Sequence, residues 1–344
     1  MIFRFKNLGR GKDNLPILKF VSPVEADGKP IDTEWGAAPT FGDFDGDGDL
    51  DLISGSFPIT AEGGDSASSE NYLYYFENIG TPKNPRFTRK PFPVKGRFHR
   101  GSLATPRAVD LNGDGLLDLV VSEGSNIYIF LNVGTAHAPL WEYNPQRLEG
   151  RWNTAVVWGQ PIDWNNDGHF DLVDGFSVML NEGKGNPQLF GPPQSILPEG
   201  ETIFHKSPTG DQWTFTQVCD LDSDGRIDIL YGIHEGNVYF HRNLNSGDRK
   251  HFDTAGVLLK TVDGKPIKVG PQPGQKWDFD VLQGARTTLT CADYNRDGKM
   301  DLVVGDTYGK VRYYQNVSGG ANPTFAQPVL IDDVGARLVP TTAD

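Results

Sequence analysis

The chain has 344 residues, with 41 Gly and 24 Pro beside 37% hydrophobic and 11% aromatic residues. That is too much punctuation for a coiled coil and too much apolar material for a disordered or collagen-like chain. The formal charge of −13 argues against a nucleic-acid partner, which asks for a basic face. No apolar run approaches the ~18 residues of a membrane span, so membrane insertion is not expected either.

In chain order, the opening MIFRFKNLGRGKD lacks the apolar core of a signal peptide. Residues 1–36 read as two strands, c and d, of a unit that begins midway, with Asn7 and Gly9 standing where Asn78 and Gly80 stand later. The first complete unit, residues 37–97, has a strand, then DFDGDGDLD from Asp43, the apolar run LISGS and the alternating run YLYYFENIG. The succession returns in 98–151 (DLNGDGLLD from Asp110, LVVSE, NIYIFLNVG) and in 152–206 (DWNNDGHFD from Asp163, LVDGF, SVMLNEG). It returns again in 207–280 (DLDSDGRID from Asp220, ILYGI, NVYFHRNL) and in 281–336 (DYNRDGKMD from Asp293, LVVGD, VRYYQNVSGG). Residues 337–344 begin one more, with Asp344 placed as Asp293 is.

The first aspartates stand 67, 53, 57 and 73 residues apart, a unit with variable insertions. Alternation with β-branched and aromatic residues predicts strands, and Asn78, Asn132, Asn181 and Asn316 mark turns. Each unit is therefore four short antiparallel strands: a, acidic loop, b, turn, c, turn, d. Repeated four-stranded sheets predict an all-β fold, a β-propeller. Counting a partial blade at each end gives seven blades, in a chain that reads as a slice of a longer one. In the alternative, both ends share one closing blade, which would lack strand b and its loop.

Each loop has the form Asp-x-[Asp/Asn]-x-Asp-Gly-x-x-Asp. Alternate side-chain oxygens at positions 1, 3, 5 and 9, with a backbone carbonyl at 7, suit calcium, which takes six to eight oxygen ligands. The candidate ligands are Asp43, Asp45, Asp47, Asp49 and Asp51 in loop 1, and Asp110, Asn112, Asp114, Leu116 and Asp118 in loop 2. Loop 3 offers Asp163, Asn165, Asp167, His169 and Asp171; loop 4 offers Asp220, Asp222, Asp224, Arg226 and Asp228. Loop 5 offers Asp293, Asn295, Asp297, Lys299 and Asp301. About five structural Ca2+ ions are expected, bound most tightly by loops 1 and 4, which keep the most carboxylates. The alternative is an acidic hairpin turn without metal. An EF-hand would need Glu at position 12 and flanking helices, and neither is present.

The acidic loops between these strands resemble the FG-GAP/VCBS repeats of calcium-loaded propellers, known from integrin α-chain heads, secreted bacterial proteins and some polysaccharide lyases. The resemblance covers nearly the whole chain. Phe-Gly precedes the loop only at Phe41-Gly42. It implies a propeller with structural calcium at an extracellular or cell-surface location, where millimolar calcium fills such loops.

The long d–a and b–c connections fall on the face opposite the acidic loops, and long ordered loops tend to be functional. Trp152, Trp213 and Trp277 are candidate platforms for stacking on a polysaccharide. His99, His205 and His234 are candidate acids or bases, and Arg100 and Arg286 candidate clamps for a uronate carboxylate. The expected function is an extracellular calcium-stabilised module recognising polysaccharide. The alternatives are a lyase cleaving a uronate-containing glycan by β-elimination, and a protein-adhesion module for a cell-surface ligand. Residue types alone leave catalysis open. Cys219 and Cys291 stand one and two residues before their loops, so they point to opposite sheet faces. Buried free thiols are favoured over a disulfide between blades.

Overall fold

The computed structural model of the chain describes residues 2–11, 16–33, 35–57, 73–96, 104–123, 126–149, 159–174, 177–183, 189–196, 214–233, 235–244, 252–253, 255–270, 287–306 and 309–333. Among them every regular element is a strand, and no helix is long and apolar enough to cross a membrane. They form a propeller-like arrangement of five blades whose strands run a, b, c, d in antiparallel order.

Blade 1 comprises Trp35–Gly42, Asp51–Phe57, Leu73–Asn78 and Phe87–Lys90. Blade 2 comprises Thr105–Val109, Asp118–Glu123, Asn126–Asn132 and Trp141–Glu149. Blade 3 comprises Gln160–Ile162, Asp171–Asp174, Ser177–Met179 and Gln194–Ser195. Blade 4 comprises Thr214–Cys219, Asp228–Ile233, Val238–His241 and Val257–Leu258. Blade 5 comprises Thr288–Ala292, Asp301–Gly305, Lys310–Tyr314 and Val329–Asp333. Phe3–Arg10 and Pro16–Pro23 form a separate antiparallel pair. Among the described residues, then, five complete blades stand where seven blades were expected: the N-terminal part is a two-stranded sheet, and residues 337–344 lie outside the described residues.

The core is a series of clusters between blades rather than one centre. Strand b explains why, because its alternate residues enter different clusters. Leu119 and Val121 pack toward blade 1, whereas Val120 packs toward blade 3. Ile229 and Tyr231 face blade 3, whereas Leu230 faces blade 5. A strand buried on both faces reads as a continuous apolar run, which is what LVVSE and ILYGI are.

One pairing has no counterpart in the strand pattern of the sequence. Before a blade begins, the incoming chain runs parallel to that blade's outer region. Ala26 pairs with Phe87, Val94 with Trp141, and Lys260–Thr261 with Thr324–Phe325. The anchor in each case includes a buried aromatic nine residues after the turn asparagine. Phe87, Trp141, Phe190, Phe252 and Phe325 occupy this place in the five blades, all buried.

Cys219 and Cys291 form a disulfide joining the inner strands of blades 4 and 5. This corrects the expectation of free thiols. The two side chains do leave opposite faces of their own sheets, since Cys219 pairs with Asp228 but Cys291 with Leu302. Adjacent stacked blades present opposite faces to each other, so alternation brings the sulfurs together.

Each loop closes on an aspartate with no solvent exposure: Asp51, Asp118, Asp171, Asp228 and Asp301. Asp118 Oδ1 accepts the Asn132 N–H at 2.7 Å and Oδ2 the Leu111 N–H at 2.9 Å. Asp118→Ala strands both buried donors, each costing about 1–3 kcal/mol. Urea unfolding should show a loss of about 3–5 kcal/mol, against a smaller one for the more exposed Asp110→Ala. Equal losses would show that the buried carboxylate is not the anchor.

Candidate functional site

The acidic loops are built alike. The first aspartate accepts the N–H of position 5 on one oxygen and of position 6 on the other, at 2.9–3.2 Å in all five loops. The aspartate at position 5 accepts the N–H of position 7 at 2.8–3.0 Å. These bonds wrap the backbone around the carboxylates. The wrapping requires left-handed backbone at position 6, always Gly, with φ of 83–92°. Position 4 is left-handed as well. Gly46 and Gly113 meet that demand freely, whereas Asn166, Ser223 and Arg296 adopt it at φ of 60–61°.

The closing aspartate joins loop to strand c. Its Oδ1 accepts the N–H of Asn78, Asn132, Asn181, Asn243 or Asn316 at 2.7–2.8 Å. In loops 1 to 4 its Oδ2 accepts the N–H of position 2 at 2.9–3.2 Å. In blades 1 and 5 a tyrosine hydroxyl also donates to Oδ2, from Tyr75 at 3.1 Å and Tyr313 at 2.7 Å. Burial pushes Asp51, Asp118 and Asp228 up to about 7, against the pull of the asparagine N–H in each case.

Position 2 of loops 1 to 4 docks on the next blade, whereas in loop 5 Tyr294 packs on Tyr313 of its own blade. Phe44 meets Trp141 edge-on at 5.5 Å, and Trp164 stacks on Phe252 at 5.7 Å. Leu111 shares a cluster with Phe190, and Leu221 with Phe325. Polar contacts follow the same direction. His137 Nδ1 donates to the Asp45 carbonyl at 2.8 Å, Asn181 Nδ2 to the Leu111 carbonyl at 2.8 Å, and the Gly320 N–H to the Asp222 carbonyl at 3.1 Å.

The loops differ in charge compensation. Loops 1 and 4 each gather three carboxylates with oxygens within 4.8 Å: Asp43, Asp45 and Asp47, and Asp220, Asp222 and Asp224. In loops 2, 3 and 5 the Asn at position 3 donates Nδ2 to the aspartate at position 5, at 2.8–3.0 Å. Loop 1 has no such donor. Its Asp49 is buried, with Oδ1 lacking any partner. Burial, and then Asp47, Asp45 and Asp43, hold the Asp49 carboxyl above the usual range. An oxygen-only cluster with an orphaned buried oxygen fits a hard divalent cation. Loop 4 fits it poorly: Arg242 donates to Asp222 and Asp224, and Arg226 to Asp224. Counting carboxylates along the chain does not reveal this, because Arg242 is about twenty residues from its partners.

His99, Arg100, His205, His234 and Arg286, and with them Trp152, Trp213 and Trp277, lie outside the described residues. The turn asparagine of blade 4, Asn243, escapes the sequence pattern for lack of a following Gly, and the recurrent aromatic nine residues later gives the signal that finds it.

Among known proteins, the family described as FG-GAP-like repeat matches residues 110–173 of this chain. A T-cell immunomodulatory protein homolog of Plasmodium yoelii yoelii is 26% identical over 306 residues, covering 80% of this chain and 38% of that protein. The chain therefore spans well under half the length of this curated relative. Among solved structures, an Agrocybe aegerita lectin specific for non-reducing terminal N-acetylglucosamine superposes with a TM-score of 0.52. The match covers 98% of this chain and 91% of the lectin, at 15% identity. That likeness is one of fold.

The left-handed residue at position 4 makes a local prediction. Ser223 is exposed and holds φ 60° at some cost to an L-residue. Ser223→Gly should raise stability by about 0.5 kcal/mol after the larger unfolded-state entropy of Gly is deducted. A lower melting temperature would show that the serine contributes something beyond backbone geometry.

Proposed function

We propose that the chain is a carbohydrate-recognition module of an extracellular or surface protein, built as a calcium-stabilised β-propeller. The observation that carries this reading is the fold likeness to the lectin, which runs through 98% of the chain. The FG-GAP-like repeat supports it, and the Cys219–Cys291 disulfide is compatible with an oxidising compartment. The lyase alternative rests on His99, His205, His234, Arg100 and Arg286, and no described feature favours it.

In this reading the blades are a rigid frame. The buried closing aspartates and inter-blade clusters hold strands a to d, and the sugar-contacting side chains would come from the b–c and d–a connections, whose long segments lie outside the described residues. Asp43, Asp45, Asp47 and Asp49 of loop 1 would hold a calcium ion. The ion supplies positive charge where these carboxylates otherwise repel one another within a few Å. The role of these residues is to tie strand a to strand b and present position 2 to the next blade.

Two measurements test the reading. A glycan array should show binding to a defined set of sugars, with N-acetylglucosamine-terminated glycans as the first candidates. Binding to no glycan would overturn carbohydrate recognition. Removal of calcium with EDTA should lower the melting temperature by roughly 5–10 °C, the size of effect expected for a few kcal/mol of ligand linkage in a chain this long. An unchanged melting curve after verified calcium removal would overturn structural calcium while leaving the sugar reading intact.

A further inference from the structure

Loop 4 has the same backbone wrapping as loop 1 but a different occupant. In loop 1, Asp43 accepts two N–H groups, and Asp45 and Asp47 each accept one on Oδ1. In loop 4 the matching bonds recur on Asp220, Asp222 Oδ1 and Asp224 Oδ1. The remaining oxygens are also engaged there. Arg242 Nε donates to Asp222 Oδ2, while Arg242 Nη2 at 3.0 Å and Arg226 Nη2 both donate to Asp224 Oδ2. Asp222 is almost wholly shielded from solvent, and Arg226 Nε is tied down by the Asn243 carbonyl at 2.9 Å. Arg242 thus bridges two carboxylates, and charge-assisted guanidinium contacts of this kind are strong.

Arg242 owes this reach to its place just before the turn asparagine. The same place holds Glu77 in blade 1, Leu131 in blade 2, Leu180 in blade 3 and Gln315 in blade 5. Glu77 pairs with Lys90 at 3.2 Å, and the Gln315 side chain bonds to Asp297. In two blades, then, the residue before the asparagine reaches the acidic loop, bringing a cation in blade 4 and an amide in blade 5.

We propose that Arg242, assisted by Arg226, is the resident cation of loop 4 and excludes a divalent ion from it, so that the residue preceding the turn asparagine decides which loops take metal. The proposal rests on the calcium reading of the acidic loops for its other half, the loops that do take an ion.

The test counts calcium ions bound per full-length chain by equilibrium dialysis. Arg242→Gln should bind one ion more than the wild type, and adding Asp220→Asn should remove that extra ion. Asp220→Asn alone should leave the wild-type count unchanged. Glu77→Arg, which transfers the guanidinium to loop 1, should bind one ion fewer. A wild-type count that falls by one in Asp220→Asn overturns the proposal, as does an unchanged count in Arg242→Gln. If Arg242→Gln fails to fold, Asp220→Asn and Glu77→Arg decide in its place. A wild type that binds no calcium at all sinks the calcium reading instead, and a gain of one ion in Arg242→Gln then still supports the exclusion by arginine.

Discussion

A single buried carboxylate per blade is the constraint on which the rest of the architecture depends. An aspartate removed from water is costly unless its oxygens are engaged, and here both are. One oxygen accepts from the end of strand c, and in loops 1 to 4 the other accepts from the start of the acidic loop. Satisfying the charge therefore fixes strand c beside strand b and sets the loop's position 2 residue at an angle that only the neighbouring blade can bury. Sheet, loop and inter-blade contact all follow from one requirement.

That requirement makes the blades directional. Each of loops 1 to 4 is completed by the blade that follows, through Trp141, Phe190, Phe252 or Phe325, and the asparagine turn braces its own strand b, as where Asn78 Nδ2 donates to the Leu50 carbonyl at 3.3 Å. Stability in such an array is a sum of units and nearest-neighbour interfaces. The disulfide adds a covalent tie at one of those interfaces, between blades 4 and 5.

Much of the strand pattern is legible because its chemistry repeats at short range. A loop that wraps carboxylates with its own N–H groups needs the same residue types at the same spacing, so five copies stand out. Alternation marks strand c, and unbroken apolar runs mark strand b. What stays hidden depends on contacts between distant residues. Nothing near Asp222 or Asp224 announces Arg242, and a left-handed Ser223 or Arg296 looks like any polar loop residue. The cysteine pair misleads because sheet alternation holds within each blade, while the facing of neighbouring blades supplies the missing relation. The N-terminal pair, Phe3–Arg10 with Pro16–Pro23, is legible as half a blade, and a strand pattern alone does not say whether such a half counts as a blade.

The dependence of loops 1 to 4 on the next blade also has a consequence in time. Phe44, Leu111, Trp164 and Leu221 find their aromatic partners between 79 and 104 residues further along the chain. At the usual rates of ribosomal synthesis, about 5–20 residues per second, each of these side chains waits roughly 4–20 s for its cover. A nascent chain of this design always trails one unfinished apolar surface behind the ribosome, renewed blade by blade until synthesis ends.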